Sequence, residues 1–196
     1  KGREQGLLSY YPGDLHNGAS RWIEVNGCNV FIAAATPMDR HGYFMIPLCL
    51  IHEKTFLEAA DRVILQVNPN LPRIYGDTEV HIRDVDMIVE AETPLPYLPE
   101  STPNELELTI GNYVASLVND GDCIQLGIGG IPDAAALALK DKHDLGVHSE
   151  MITNSMVELV KQGVITGRKK NFMPGKIIGT FAYGTQALYD MLEENP

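Results

Sequence analysis

Cysteine is scarce in this chain, and no metal-ligand pattern accompanies it. The 196 residues contain three cysteines, Cys28, Cys49 and Cys123, none of which belongs to a Cys-x-x-Cys pair. Their odd number and scattered positions argue against a disulfide framework and favour a reducing cytoplasm as the location. The six histidines do not cluster in a zinc-binding spacing either, so the sequence predicts no metal site.

Basic residues and long apolar runs are also missing. Lysine and arginine number 15 against 26 acidic residues, which leaves a net charge of -11 and no basic block for a nucleic acid. No apolar run is long enough to span a membrane, and no signal-peptide pattern opens the sequence. We therefore predict neither a nucleic-acid nor a membrane partner. The remaining composition, 44% hydrophobic and 21% charged, is that of an ordinary globular protein.

Apolar stretches of strand length alternate with helical patterns along the chain. The first half has predicted strands at 28–35, 62–68 and 84–90 and a helix at 52–60. In the second half the predicted strands "CIQLG", "LGVHS" and "KIIGTFAYG" are each followed by a helix. Strict alternation of this kind is typical of parallel βαβ units, so the predicted fold class is α/β.

A proline-rich segment separates the two halves. Four prolines lie within residues 94–103, where no periodic pattern exists. We predict a linker there, with one domain at 1–93, the linker at 94–104 and a second domain at 105–196.

A helix is predicted directly after the linker. Thr102 is a candidate N-cap, Pro103 fits the first helical position, and Glu105 would complete a capping box. Its large apolar residues fall on one face, as in an amphipathic helix. They are Leu106, Ile110, Tyr113, Val114 and Leu117.

Residues 125–150, "QLGIGGIPDAAALALKDKHDLGVHSE", carry the most informative pattern. It reads as a strand, a glycine turn, a short helix and a second strand that ends on Glu150. Glycines after a strand permit positive φ angles and let a ligand approach the backbone, and the helix N-terminus that follows favours negative charge. Because functional crevices of open parallel sheets lie beyond the carboxyl ends of the strands, we expect this loop and Glu150 to meet there.

Three interpretations of this pattern stay open. One is a tight turn that binds nothing. Another is a dinucleotide site: Gly127 and Gly129 fit Gly-x-Gly-x-x-Gly and Glu150 has the spacing of a ribose-binding acid, but Pro132 stands where the third glycine belongs. The third is covalent catalysis, in which a carboxylate attacks an activated acyl carbon and loop N–H groups stabilise the oxyanion.

Residues 125–151 strongly resemble the acetyl-CoA hydrolase/transferase family, and within it the 4-hydroxybutyrate and butyryl-CoA:acetate CoA-transferases. Shorter segments agree, including "YYPGDLH", "TPMDRHGYF", "VNPNLPRIYGDTEVHIRDVDMIVE", "LVKQGVIT" and "FAYGTQALYDMLEENP", so that the likeness covers essentially the whole chain. The resemblance implies two parallel-sheet domains of the CoA-transferase type. Members of the family are much longer, and this chain begins without Met. We therefore expect that both domains are incomplete here.

The resemblance also implies a ping-pong transfer of CoA. Glu150 would attack an acyl-CoA and become a glutamyl-CoA thioester, while Gly127, Ile128, Gly129 and Gly130 supply oxyanion and CoA-binding N–H groups. CoA is then a substrate, and no cofactor is bound permanently. The implied partners are an acyl-CoA, a short-chain carboxylate, the remainder of the same protein and a second copy in a homodimer. Acyl-CoA hydrolysis through the same intermediate and a non-catalytic nucleotide-binding module are the alternatives.

Three residues that flank these positions are candidates for the substrate side: Gln125, His148 and Met151. His148 and Glu150 are two residues apart, so their side chains are expected on the same side of a strand. The plain structural interpretation of the polar ones is a local hydrogen bond. The sequence departs from many members of the family at Asn154-Ser155, where they carry an Asp-Gly pair.

Overall fold

The structure is a computed structural model that describes residues 4–8 and 10–196. Parallel strands and helices build both halves of it, so the predicted α/β class is confirmed. The N-terminal half contains α1 (Gly18–Asn26), β1 (Val30–Ala35), β2 (Tyr43–Met45), α2 (Glu53–Ala59), β3 (Arg62–Val67), β4 (Glu79–His81) and β5 (Met87–Glu90).

A parallel sheet with β3 in the middle organises this half, and the strand order is β1-β3-β5. Phe31, Ala35 and Leu65 point from one face of the sheet into a core that β2 and β4 help to form. The other face carries apolar side chains that are exposed in the described chain, among them Ile32 and Met87. The described residues therefore cover one face of a sheet type that is normally covered on both.

None of α1, β2 and β4 is predicted from the sequence pattern. β2 and β4 pair antiparallel across a long stretch of chain, and each is three residues long. Strands this short carry no alternation that a periodicity argument can detect. Their pairing partner, rather than their own sequence, makes them strands.

Asp39 organises the turn between β1 and β2, where the "TPMDRHGYF" pattern predicts one. Its carboxylate accepts the backbone N–H groups of His41 and Tyr43, each at 2.8 Å. A guanidinium nitrogen of Arg73 lies 3.7 Å from it. The bond from Tyr43 is the main reason that the pKa of Asp39 is lowered, and burial opposes the effect.

The C-terminal half alternates strands and helices as predicted, except that β7 is followed by β8 without a helix between them. It contains α3 (Glu105–Ser116), β6 (Cys123–Ile124), α4 (Gly130–Ala138), β7 (Gly146–Val147), β8 (Met151–Ile152), α5 (Asn154–Lys161), β9 (Phe181–Ala182) and α6 (Gln186–Leu192). β6 pairs with β7 and β8 pairs with β9, both in parallel. The expectation that a strand ends on Glu150 is wrong, because the chain continues into β8. Glu150 lies at a bend between β7, which pairs with β6, and β8, which pairs with β9.

The cap of α3 differs from the sequence prediction. Asn104 is the N-cap: its side chain accepts the backbone N–H of Glu107, and the Glu107 carboxylate accepts the backbone N–H of Asn104 at 2.7 Å. The capping box therefore uses residues two positions beyond Thr102 and Glu105. Thr102 lies two residues before the N-cap and is not part of this reciprocal pair.

The packing of α3 also differs from the expected amphipathic face. Its large apolar side chains, such as Tyr113 and Leu117, are mostly exposed in the described chain, at 71% and 81%. The buried residues are Gly111 and Ala115, which face α4. A small residue at the crossing brings the two helix backbones close together, which a large apolar residue would prevent.

Hydrogen bonds join the two halves to each other and the proline-rich segment to the C-terminal half. Leu50 donates to the carbonyl of Thr180 and Ala182 donates to that of Leu48, so residues 48–50 border β9. In the segment itself, the Pro96 carbonyl accepts the Tyr189 hydroxyl at 2.6 Å. The division into domains at residues 94–104 stays a prediction.

We expect that Gly111→Ala lowers the free energy of unfolding. The added Cβ would lie 2.6–2.7 Å from backbone atoms of Ala134 and Ala135, which cannot move without moving α4. Overpacking typically costs about 1–3 kcal/mol, against the gain of up to about 1 kcal/mol for alanine over glycine in a helix. Urea unfolding measures the difference. The control is Gly18→Ala in α1, whose Cβ meets only His52 at 3.6 Å and should leave stability unchanged or slightly raised. Equal effects of the two substitutions would contradict the close crossing of α3 and α4.

The lowered pKa of Asp39 predicts an acid-dependent loss of stability. A carboxyl group whose pKa is lower in the folded state contributes fully above its unfolded value of about 3.9, and the contribution is lost as the pH falls through the folded pKa. Urea unfolding at about pH 6 and about pH 3 should therefore show a larger loss for the wild type than for Asp39→Asn, which cannot titrate there. Parallel losses in the two proteins would mean that the bonds from Tyr43 and His41 do not lower this pKa.

Candidate functional site

The glycine loop connects the end of β6 to the start of α4. Leu126 is buried, Gly127 and Ile128 are exposed, and Gly129 is the N-cap of α4. Gly129 has φ 123° and ψ 174°, a conformation that side chains disfavour, which explains why glycine is needed at this position. Pro132 lies in the first turn of α4, where its missing N–H leaves no helical bond unmade.

Glu107 supports this loop from α3, a role that sequence pattern does not reveal. A Cβ built on Gly130 would overlap the Glu107 carboxylate, so the carboxylate packs directly against the first residue of α4. The same carboxylate completes the capping box with Asn104. One side chain therefore links the start of α3 to the end of the glycine loop.

The residues around Glu150 alternate between exposed and buried. His148 and Glu150 are exposed, whereas Ser149 and Met151 are 4% and 3% exposed. His148 and Glu150 thus face the same side, as their spacing predicts. The His148 ring stacks on Phe172 with centroids 6.1 Å apart. The Met151 side chain is buried, whereas that of Glu150 is exposed.

Pairing of β6 with β7 brings the glycine loop beside Glu150. The register joins Ile124 to Val147, and the next rung is the bond from the His148 N–H to the Ile124 carbonyl at 3.1 Å. Beyond that rung, the Ser149 hydroxyl donates to the Leu126 carbonyl at 3.1 Å, and Glu150 and Gly127 directly follow these two residues. The two features that the sequence singles out therefore follow two chain segments that are hydrogen-bonded to each other.

The glycine loop lines part of a cleft of about 230 Å³. The loop, α4, α5 and residues 98–101 line it, whereas Glu150 does not. Its charged lining consists of Glu100, Asp133 and Glu158 with one lysine, Lys140. Three carboxylates against one cation make this cleft a poor place for the phosphates of a nucleotide.

The Asn154 side chain links the proline-rich segment to the residue before α6. Its side-chain oxygen accepts the N–H of Thr185 at 2.8 Å, and its amide donates to the carbonyl of Leu98 at 3.2 Å. An aspartate at this position accepts but cannot donate. The departure from the Asp-Gly pattern therefore matches a local structural role for the amide.

Solved structures share this architecture. RipA from Yersinia pestis superposes with a TM-score of 0.92 at 34% identity, and the match covers 100% of this chain and 46% of that one. A 4-hydroxybutyrate CoA-transferase from Porphyromonas gingivalis superposes with a TM-score of 0.89 at 31% identity, covering 99% of this chain and 50% of that one. The fold is thus that of the CoA-transferase class of α/β proteins.

Sequence comparison defines the family. The profile of the acetyl-CoA hydrolase/transferase N-terminal domain matches residues 1–99. A 4-hydroxybutyrate coenzyme A transferase of Clostridium kluyveri is 45% identical over 168 residues, which are 86% of this chain and 39% of that protein. A succinyl-CoA:cyclohexane-1-carboxylate CoA transferase of Geobacter metallireducens is 38% identical over 195 residues, which are 98% of this chain and 44% of that protein. The chain belongs to the acetyl-CoA hydrolase/transferase family, and it spans less than half the length of these two relatives.

Residues 4–8 and 10–196, which the structure describes, include no helix that is both long enough and apolar enough to cross a membrane. Within the same residues, no three His, Cys, Asp or Glu side chains are grouped so that they could hold a metal ion.

We expect the stability effects of Gly130→Ala and Glu107→Ala to be coupled. In the wild type, Gly130→Ala forces its Cβ against the Glu107 carboxylate and lowers the free energy of unfolding. Without that carboxylate the same change should cost less, with a coupling of about 0.5–3 kcal/mol, as is typical of residues in contact. Urea unfolding of the four proteins in the cycle measures it.

Glu105→Ala serves as the matched background for this cycle. Glu105 lies in the same first turn of α3, but it is not among the nearest atoms to a Cβ at Gly130. Gly130→Ala should therefore cost the same in that background as in the wild type. Additivity in the Glu107→Ala background as well would show that the carboxylate does not pack against the loop.

Proposed function

We propose that this chain is part of a CoA-transferase that moves CoA between a short-chain acyl-CoA and a free carboxylate through a glutamyl-CoA thioester on Glu150. One observation supports the proposal: the Ser149 hydroxyl donates to the Leu126 carbonyl at 3.1 Å, and Glu150 and the glycine loop directly follow these two residues. We therefore propose that the Glu150 carboxylate and the backbone N–H groups of the loop act together. The acting unit is a polypeptide of the length of the relatives, since this chain covers less than half of them.

The proposed reaction needs only carboxylates and a thiolate. A carboxylate oxygen of Glu150 attacks the carbonyl carbon of the acyl-CoA, the carbon–sulfur bond breaks, and CoA thiolate leaves behind a mixed anhydride. The thiolate then attacks the glutamyl carbon of the anhydride and releases the first carboxylate. This leaves the glutamyl-CoA thioester, and an acceptor carboxylate reverses both steps. Each step forms one bond, breaks one bond and transfers no proton.

The glycine loop supplies the electrostatic part of this mechanism. Each tetrahedral state carries an oxyanion, and a preorganised N–H donor stabilises such a charge by about 3–4 kcal/mol. Gly127, Ile128, Gly129 and Gly130 are the proposed donors, and CoA is a substrate with no permanently bound cofactor. The exposed Gln125 and His148, which precede Gly127 and Glu150 by two residues, are the proposed contacts on the substrate side. Met151 stays a weaker candidate because its side chain is buried.

The proposed acyl groups are 4-hydroxybutyryl, butyryl and acetyl, with acetate or a similar carboxylate as the acceptor. Support comes from the 45% identity with the 4-hydroxybutyrate transferase and from 39% identity with a butyryl-CoA:acetate CoA-transferase of Anaerostipes caccae. The proposal includes a cytoplasmic location, because the substrates are free CoA esters and the cysteines are unpaired. It also includes a homodimer, which the family resemblance implies.

Acyl-CoA hydrolysis through the same intermediate is the second candidate. The exposure of Glu150 favours it, because water that reaches the anhydride or the thioester would release the acid or CoA without an acceptor. Transfer therefore requires that water be excluded from Glu150 during the reaction. A nucleotide-binding module remains an outcome of the experiment below.

The first measurement is peptide mass spectrometry after incubation of the full-length protein with butyryl-CoA. We expect a CoA adduct on the peptide that contains Glu150, and borohydride should reduce the thioester to an alcohol. Glu150→Gln should lose the adduct and lower kcat by at least about a thousandfold, because it removes the nucleophile. Glu105→Gln on α3 should leave both unchanged.

Three outcomes of this measurement separate the candidates. Adduct formation with release of CoA in the absence of an acceptor carboxylate would assign hydrolysis instead of transfer. Wild-type protein without any adduct would reject the covalent mechanism. Binding of NAD in place of CoA would then identify the nucleotide-binding module.

A further inference from the structure

Backbone hydrogen bonds join Ser149 and Glu150 to one neighbouring chain segment, residues 178–181. The Ser149 N–H donates to the Ile178 carbonyl at 2.9 Å. The Glu150 carbonyl accepts the N–H of Thr180 at 2.9 Å and that of Phe181 at 3.2 Å. The exposed carboxylate therefore extends from a main chain that has little freedom to move.

The Thr180 hydroxyl strengthens this attachment. It donates to the Glu150 carbonyl at 2.7 Å, so that this oxygen accepts from three donors although it has only two lone pairs. Thr180 is exposed, so its hydroxyl has water as an alternative partner. The bond to Glu150 thus constrains residue 150, where a solvated hydroxyl would not.

The Ser149 hydroxyl makes the matching attachment to the glycine loop. In a parallel ladder the rung after His148 to Ile124 would run from the Glu150 N–H to the Leu126 carbonyl. In the described chain, the Ser149 hydroxyl donates to that carbonyl at 3.1 Å. Ser149 is 4% exposed, and Leu126 directly precedes Gly127. A buried side-chain bond therefore ties the start of the loop to the residue next to Glu150.

We propose that the hydroxyl groups of Ser149 and Thr180 are positioning groups that align the Glu150 carboxylate with the glycine loop. The inference rests on the proposed function. Neither hydroxyl touches the reacting atoms in this account, because each donates to a backbone carbonyl. Ser149 limits the displacement of its neighbour Glu150 from the start of the glycine loop, and Thr180 limits the displacement of Glu150 from residues 178–181. A displacement of about 1 Å can cost about a hundredfold in rate.

The test uses three variants of the full-length protein. Ser149→Ala and Thr180→Val each remove one hydroxyl, and valine keeps the shape of threonine. Thr180→Ser restores the hydroxyl. The measured quantities are the single-turnover rate of CoA adduct formation on Glu150 from butyryl-CoA, kcat and KM separately, and the melting temperature.

We expect the two hydroxyl deletions to slow adduct formation about tenfold to a hundredfold and to lower kcat with KM unchanged. Thr180→Ser should form the adduct at the wild-type rate. The control is Thr109→Val, which removes an exposed threonine hydroxyl that donates to a backbone carbonyl of α3 at 2.8 Å, remote from Glu150 in the sequence. It should leave the rate unchanged, although its melting temperature can shift.

Each other outcome overturns the inference in a recognisable way. If the wild type forms the adduct and Thr180→Val forms it equally fast, the positioning role is wrong while the proposed function stands. The same holds if Thr180→Ser is as slow as Thr180→Val, or if KM rises with kcat unchanged. A wild type without an adduct overturns the function and this inference together. Thr180 is exposed, so its variants decide the question even if Ser149→Ala fails to fold.

Discussion

The parallel pairing of β6 with β7 is the contact on which the candidate site depends. The bond from the Ser149 hydroxyl to the Leu126 carbonyl continues this pairing to the residues directly before Glu150 and Gly127. Because side chains alternate along a strand, a slip of one residue would turn Glu150 into the core and Ser149 toward solvent. The burial of Ser149 and Met151 resists such a slip, since each would have to leave an environment in which it is more than nine-tenths buried.

The far end of the glycine loop depends on helix packing instead of strand pairing. Gly111 and Gly130 lack side chains where α3 and α4 meet, and the Glu107 carboxylate fills the space beside Gly130. That carboxylate also closes the capping box of α3. The start of one helix and the loop that precedes the next are therefore held by the same group, so a disturbance of either reaches the proposed oxyanion donors.

The exposure of Glu150 in the described chain bears directly on its chemistry. A well-hydrated carboxylate is a weak nucleophile, and an anhydride or thioester in contact with water hydrolyses. Transfer therefore requires a cover over Glu150 that the described residues do not supply. The exposed face of the β1-β3-β5 sheet and the exposed apolar side chains of α3 are further surfaces that these residues leave uncovered. Relatives more than twice as long as the matched region have additional chain with which to cover such surfaces.

The sequence by itself determined the features that depend on local physics. These are the α/β alternation, the glycine turn that contains Gly129, and the acidic side chain of Glu150. The sequence misses β2, β4 and β8, which are two or three residues long and exist only through their partners. It places the cap of α3 too early, because several residues near Thr102 are plausible caps and only the reciprocal bonds of Asn104 and Glu107 select one. The sequence predicts that the glycine loop and Glu150 meet, but only the tertiary structure decided the register, in which His148 bonds to Ile124 and Ser149 to Leu126. Parallel pairing joins segments that a whole helix separates in the chain, and no local pattern encodes that register.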